Sequence, residues 1–520
     1  MMKRCIGTIL LLLFLLAGCT QQPSVPQTQS TLPTQLQPTE PTEQACPQHA
    51  DENQDDICDL CGDSVIIVID FYCINDLHGR VLDSSAQPGI DEMTTFFEQA
   101  RKTDDNVILL SAGDMWQGSA ESNLTRGQLV VDWMNRLDFQ GMALGNHEFD
   151  WGESYIGENA KLAEFPFLAI NVYDKETNQL ASYCEPSRLV EVNGVQIGLI
   201  GAAGDNHSSI AAEMAQGVYF KTGAALTQLV KAEAQALREQ GADFIVYILH
   251  DGMGSSAYGG AVSVPDHQLV SYYDVSLSNG YVDLVFEGHT HQRYLAKDEY
   301  GVYHLQNRGD NTGGLSHVEI SIHAINQTVE VRQAELIESS KYEHLEDSPM
   351  ITELLEEYEQ ELGTALNSCG TIAHAIPGND LRQTVADLYY MEGLLRWGTE
   401  YDIALGGGFI SIRQPGYLAR GEVAYGELLE LFPFDNELVL CSISGRDLKS
   451  RFLETDNSNY FICCDETITD HIDDYGTYYV VVDSYSSTYA PNRLTEIERY
   501  GEPYYARDML ANYIRNGGLN

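Results

Sequence analysis

Along residues 64–323, short apolar runs rich in β-branched side chains alternate with segments of helical periodicity, and one run after another ends in a polar cluster. The run 64–73 (SVIIVIDFYC) reads as a buried strand, because its apolar positions are nearly continuous rather than alternating, and it leads into a loop bearing Asp76 and His78. Residues 92–101 have helical sequence, 106–111 (NVILLS) form a second strand ending at Asp114, and 127–137 are helical again before a third strand ends in Asn146 and His147. Further strands are expected at 167–171, at 195–201, at 244–250 ending in His250, and at 283–287 leading to His289 and His291. A strand at 315–323 closes the domain. Alternating strands and helices predict a layered α/β fold with a covered sheet. Ligands in such folds bind at the carboxyl ends of the strands, where these clusters fall.

Residues 346–367 (EDSPMITELLEEYEQELGTALN) carry Ile351, Leu354, Leu355, Tyr358 and Leu362 at helical spacing. By its residues alone the segment reads as a surface helix packed on one domain. From about 368 the pattern changes, and a second, smaller domain is expected over 368–520.

The first 63 residues are of another kind. Lys3 and Arg4 precede an apolar stretch at 9–16, short of the roughly 20 residues that span a bilayer, so residues 1–18 read as a signal peptide. Leu16-Ala17-Gly18-Cys19 resembles a bacterial lipobox, which implies lipidation of Cys19 and anchoring on the outer face of the cell membrane. An ordinary secretory signal is the alternative, and export follows in both cases. Residues 19–45, almost all Gln, Pro, Thr and Ser, form a disordered tether. In 46–63, Cys46-x-x-His49 and Cys58-x-x-Cys61 offer two pairs of soft ligands at the spacing of a tetrahedral zinc site. Asp51, Asn53, Asp55 and Asp56 also resemble a short calcium loop, and a merely solvated segment is the third reading. None of these carries catalysis.

The remaining six cysteines, Cys73, Cys184, Cys369, Cys441, Cys463 and Cys464, are scattered, so no disulfide framework is legible. Adjacent Cys463 and Cys464 read as buried thiols rather than a strained vicinal disulfide. The formal charge of −48, from 77 acidic and 29 basic side chains, argues against a nucleic-acid polymer or anionic lipid as partner, because both would be repelled. An anionic substrate then needs local cations, and bound metal supplies them.

The polar clusters supply the ligands for such metal. They read NDLHG (75–79), GDMWQG (113–118), GNHEFD (145–150), LHDG (249–252) and EGHTH (287–291). Together they provide Asp76, His78, Asp114, Asn146, His250, His289 and His291. This imidazole- and carboxylate-rich set without cysteine suits hydrolytic metals. Two cations about 3.5–4 Å apart bind a phosphate ester, generate a hydroxide and stabilise both oxygens of an in-line displacement.

In this order the five motifs strongly resemble the calcineurin-like metallophosphoesterases, and more narrowly the bacterial 5′-nucleotidase and UDP-sugar hydrolase family, over about residues 65–520. The resemblance implies a four-layer α/β/β/α domain over 64–340, a linking helix over 341–367 and a smaller α/β substrate-binding domain over 368–520. It implies that Asp76, His78 and His291 bind one divalent metal (zinc, manganese or similar), that Asn146, His250 and His289 complete a second, and that Asp114 bridges them. His147 paired with Asp150 looks like the dyad that contacts the phosphate. Some relatives carry Gln where this chain has His291. In the second domain the resemblance places a nucleoside between Phe434 and Tyr485, with Asn436 beside them and Arg382, Gly407, Gly408 and Arg413 as further substrate contacts. This half departs from the family pattern in two places. Residues 409–412 (FISI) separate the glycine triplet from Arg413, and residues 486–490 (SSTYA) replace a second glycine-rich segment.

The expected function is therefore an exported two-metal phosphohydrolase that releases phosphate from nucleoside 5′-monophosphates, with di- and triphosphates as further candidate substrates, by attack of a metal-bound water. Hydrolysis of 2′,3′-cyclic nucleotides or UDP-sugars at the same site is the alternative within enzymes. A surface lipoprotein that captures nucleotides without turnover is the alternative outside them, although such a binder would have no need of the His147–Asp150 pair.

Overall fold

The computed structural model describes residues 50, 52, 56–60, 62, 64–82, 88–252, 273–309, 313–413, 415–454, 460–464, 471–489 and 494–519. All of them lie in one compact unit spanning 49–520. Cys19, Cys46, His49, Cys61, the signal peptide and the tether fall outside the described residues. Of the expected soft-ligand set only Cys58 is described, and it is buried, with its sulfur accepting from the Ala50 N–H at 3.5 Å. No helix among the described residues is long and apolar enough to cross a membrane.

Two six-stranded sheets face each other in the first half. One runs in the order Val329–Ile337, Leu315–His323, Ile66–Ile74, Val107–Ser111, Phe139–Ala143 and Phe167–Leu168. The other runs Tyr294–Lys297, Tyr303–Gln306, Leu284–Glu287, Phe244–Leu249, Val195–Ala202 and Ser187–Val192. The period-2 geometry of each strand sorts its side chains between two cores. Ile69, Phe71 and Cys73 meet Val246, Ile248 and Phe286 between the sheets. Tyr72 and Ile74 turn outward under Phe97, Trp133 and Ile351. On the far side Ile245, Tyr247 and Leu249 pack under Val230, Ala234 and Leu237 of the helix Gly223–Glu239. The layering is thus α/β/β/α, as expected. Strands buried on both faces explain the near-continuous apolar runs.

Within each sheet the strands that carry the polar clusters are parallel neighbours. Ile66–Ile74 pairs with Val107–Ser111 and that strand with Phe139–Ala143, while Val195–Ala202, Phe244–Leu249 and Leu284–Glu287 do the same opposite. Their carboxyl ends therefore point one way, and the five motif loops share one end of the sandwich.

The helix expected over 346–367 is interrupted. It consists of Pro349–Glu357, Glu359–Leu362 and a 3-10 turn at Gly363–Leu366. Tyr358 leaves helical geometry at the break, where its hydroxyl donates to Asp132 of the first half. Glu353, Glu356, Glu357, Glu359 and Glu361 crowd the break, and like charges at helical spacing disfavour continuation of the helix. Ile351 and Leu354 are buried in the first half's helix-side core. The segment expected at 167–171 likewise keeps strand geometry only at Phe167–Leu168.

The second half is a five-stranded sheet in the order Tyr460–Cys464, Ile403–Phe409, Thr477–Asp483, Leu438–Ser444 and Thr495–Tyr500. The 20-residue helix Gly378–Trp397 lies across one face through Leu381, Val385, Ala386 and Tyr389. Cys463 and Cys464 are half-buried on an outer strand.

Candidate active site

The site begins with backbone strain. Asp76, His78, Asp114, His289 and His291 all have positive φ, between 50° and 69°. L-residues with side chains avoid this region, and such outliers cluster where surrounding structure holds them for function. The chain must turn sharply off the strand ends to bring these side chains together. Gly145 makes a related allowance, because a Cβ there would sit 2.2 Å from Asp114 Oδ1.

Three groups of donors result. Asp76, His78 and His291 present ligand atoms that all lie within 4.8 Å of one another, as do Asp114, His250 and His289, and His78, Asp114 and His147. The shared members Asp114 and His78 make this one continuous cluster. Asn146 joins it through Oδ1, 3.3 Å from His250 Nε2.

The imidazoles are aimed by their other nitrogens. His78 Nδ1 donates to the Gln117 carbonyl at 2.9 Å, and His250 Nδ1 donates to the Ala112 carbonyl at 2.6 Å. These bonds turn each Nε2 into the cluster, the orientation seen for metal-ligating histidines. His78 Nε2 then lies 3.2 Å from His291 Nε2, and His250 Nε2 lies 3.1 Å from Asp114 Oδ2. Two imidazole nitrogens facing each other at this distance suit a shared cation.

The electrostatics agree. Burial opposes ionisation of Asp76, yet the imidazoles of His291 and His250 outweigh it and hold the carboxyl at about 2. Asp114 is likewise held well below the usual carboxylate range, with burial overcome by His250 and His147. Burial and the neighbouring His250 push His289 down to about 4. The positive charge that keeps both buried carboxylates ionised comes from the imidazoles, His250 above all: burial works against its charge, but Asp114 and Asp76 hold it at about 10. The donor set of oxygen and imidazole nitrogen fits divalent metal.

His147 and Asp150 sit at the cluster's edge. His147 Nδ1 is 2.7 Å from Asp150 Oδ2, while its backbone N–H donates to Asp114 Oδ1 at 2.8 Å. Its Nε2 lies 2.9 Å from Arg413 Nη2. The intervening residues 409–412 thus do not keep Arg413 away from the site. Arg413 also lies over Phe434, 5.4 Å from the ring centroid, and that ring is 6.2 Å from the His147 ring.

The other second-half residues have more local surroundings. Tyr485 packs on Phe409 at 5.6 Å, and Asn436 Nδ2 donates to Asp483 Oδ2 at 3.4 Å. Arg382 donates to Asn379 and lies over Phe461. Gly407 and Gly408 meet close packing. A Cβ on Gly407 would stand 2.1 Å from the Phe461 carbonyl, and one on Gly408 would stand 2.6 Å from Ser486 Oγ.

Several residues of this region were not legible as such. Glu148 is fully buried, and its carboxylate accepts from the backbone N–H groups of Asp114, Met115 and Gly145 at 2.6–2.9 Å. Burial and the nearby Asp114 charge raise its carboxyl to about 7. Arg507 donates to the carbonyls of Phe432 and Phe434 and pairs with Asp435. Asp435 also pairs with Arg126 of the first half at 2.8 Å. Glu148 stands inside a recognised motif, but a lone arginine at 507 carries no local signal.

Residues 69–293 match the family model described as calcineurin-like phosphoesterase. Protein UshA of Yersinia enterocolitica is 25% identical over 418 residues, 72% of this chain and 74% of that protein. A 5′-nucleotidase of Vibrio cholerae is 29% identical over 224 residues, 42% of this chain and 39% of that protein. In fold, the chain is similar to the crystal structure of a putative 5′-nucleotidase from Staphylococcus aureus, with a TM-score of 0.64 at 18% identity over 87% of this chain and 98% of that one. Strand-end motifs, an α/β/β/α sandwich and these likenesses lead to one conclusion: residues 69–293 form a calcineurin-like phosphoesterase domain, the chain is similar to the 5′-nucleotidases and UshA, and it is a metal-dependent phosphoric ester hydrolase.

Proposed function

We propose that this protein is an exported hydrolase, lipid-anchored through Cys19, that uses two divalent cations to release phosphate from nucleoside 5′-monophosphates. The observation that carries the reading is the pair of abutting donor triads, Asp76/His78/His291 and Asp114/His250/His289. Asp114, whose donor atoms lie near both sets, would be the carboxylate shared between the cations, and Asn146 would complete the second set. The names of the relatives support a nucleotide as substrate.

When bound, the cations polarise the phosphoryl oxygens and make a water acidic enough to attack phosphorus near neutral pH. The chain's own residues do the rest. Asp150 holds the His147 ring by Nδ1, so that Nε2 faces the substrate side. Arg413 adds a permanent charge beside it. Both stabilise negative charge as it develops on the phosphoryl oxygens. Phe434 provides an apolar wall for a base, with Tyr485 as the opposing face and Asn436 as a polar neighbour.

The test is phosphate release from AMP, UMP, UDP-glucose, 2′,3′-cyclic AMP and bis(p-nitrophenyl) phosphate, with manganese or zinc, beside Asp114→Asn. Turnover of AMP that disappears in the variant is the expected result. Turnover confined to diesters or to UDP-glucose would reassign the substrate, and no turnover with metal bound would overturn the reading.

A further inference from the structure

Gln306 is a fully buried amide at the carboxyl end of the strand Tyr303–Gln306. That strand pairs in parallel with Leu284–Glu287, the strand whose end carries His289 and His291. With its oxygen turned toward donors, the Gln306 amide accepts from the backbone N–H of His291 at 2.8 Å and of Gln292 at 3.0 Å. Its nitrogen donates to the Gly288 carbonyl at 3.0 Å and to Tyr294 Oη at 3.2 Å. Tyr294 Oη in turn donates to the buried Glu287 at 2.7 Å. One side chain thus spans both ends of the loop 288–292.

The neighbouring residue serves the opposite loop. Asn307 N donates to Asn75 Oδ1 at 3.0 Å, and Asn75 Nδ2 donates both to the Asn307 carbonyl at 2.9 Å and to Asp76 Oδ2 at 2.7 Å. Asp76 then accepts from the His289 backbone N–H. The strand end 306–307 therefore supports an aspartate on one sheet and two histidines on the other.

The loop needs such support. His289 and His291 both have left-handed backbone, φ 69° and 51°, a conformation that side chains at these positions disfavour.

We propose that Gln306 is a positioning residue that holds the loop 288–292 so that His289 faces Asp114 and His291 faces Asp76, and thereby sets the cluster's affinity for its cations. This rests on the reading of those histidines as metal ligands. Partners behind the ligands that orient them typically change metal affinity by about 10- to 100-fold when removed.

The experiment titrates zinc, and separately manganese, into the metal-stripped protein against a chelating indicator. Wild type, Gln306→Met, Gln306→Asn and His291→Ala are compared, each well below its own unfolding temperature. Gln306→Met keeps the volume and loses every hydrogen bond. Gln306→Asn keeps the amide but is one methylene too short to span the loop. Affinity should fall about 10- to 100-fold in Gln306→Met and less in Gln306→Asn, with kcat on AMP recovering at excess metal. Wild-type affinity in both variants, with only the unfolding midpoint lowered, would overturn the positioning role. If Gln306→Met does not fold, Gln306→Asn decides by the same readout. Wild-type affinity in His291→Ala would overturn the ligand reading itself, so the two failures are distinguishable.

Discussion

Arg413 Nη2 lies 2.9 Å from His147 Nε2, although 266 residues separate them in the chain. The two halves of the protein meet at this contact, and Phe434 lies against both side chains. On the proposed reading of His147 as the phosphate-contacting imidazole, a guanidinium beside it would add charge where the transition state develops it. Removing one such donor typically costs about 100-fold or more in kcat. Arg413→Met should show that loss with metal content unchanged, measured by steady-state kinetics beside elemental analysis. Arg413→Lys should recover only part of it, since an ammonium lacks the planar fork and stacks poorly on Phe434. Wild-type kcat in Arg413→Met would remove the residue from the chemistry.

Metal removal gives a second prediction. Chelation should abolish phosphate release, and added manganese or zinc should restore it. Asp114→Asn should lower the bound metal per chain as well as the rate, because Asp114 stands within 4.8 Å of His78, His147, His250 and His289 ligand atoms. Full occupancy in that variant would contradict the bridging role.

Glu148 should matter for the fold before it matters for the rate. Its two carboxylate oxygens serve three backbone N–H groups from two motif loops. Glu148→Gln has a single acceptor oxygen and turns an NH₂ toward buried donors, so we expect a stability loss of about 2–4 kcal/mol in urea unfolding. An unchanged midpoint would show that the loops hold themselves.

Asp435 pairs with Arg507 within the second half and with Arg126 across the interface. The Arg507 side chain is only 6% exposed, against 33% for Arg126, and this difference sets the order of effects. Asp435→Asn, which leaves a buried guanidinium without its anion, should cost about 3–5 kcal/mol. Arg126→Met should cost about 1 kcal/mol or less. A double-mutant cycle on Asp435 with each arginine measures the two couplings, and a larger coupling to Arg126 would reverse the assignment.

His304 makes the fold sensitive to alkali. It is fully buried between Glu287 and Asp298, with Tyr273 edge-on to its ring at 4.7 Å. Burial pulls its pKa down, but the two carboxylates outweigh burial and hold it at about 9, above the ordinary 6.5. A value raised on folding means that charged His304 stabilises the protein fully below about pH 6.5. That contribution is lost as pH rises through about 9. The stability gap between wild type and His304→Asn should therefore shrink from pH 6.5 to 9.5, followed by urea midpoints. A constant gap would mean that the ring is neutral throughout.

The sequence by itself determined the layered α/β class, the strands that carry each motif, and the cluster of Asp76, His78, Asp114, Asn146, His250, His289 and His291. These were legible because strand burial writes a local apolar run, and a ligand loop at a strand end writes a local polar cluster. Only the tertiary structure decided the features that depend on partners far along the chain. The helix at 346–367 breaks at Tyr358, whose hydroxyl meets Asp132 in the first half. Arg413 reaches His147 despite residues 409–412, because those residues keep to their own half, with Phe409 ending a strand and Ile410 buried in the core there. Arg507, Gln306 and Glu148 act by hydrogen-bonding backbone or charge brought beside them by folding. No pattern of neighbouring residue types records such a contact, since its energy depends on which groups share a buried space rather than on which share a stretch of chain.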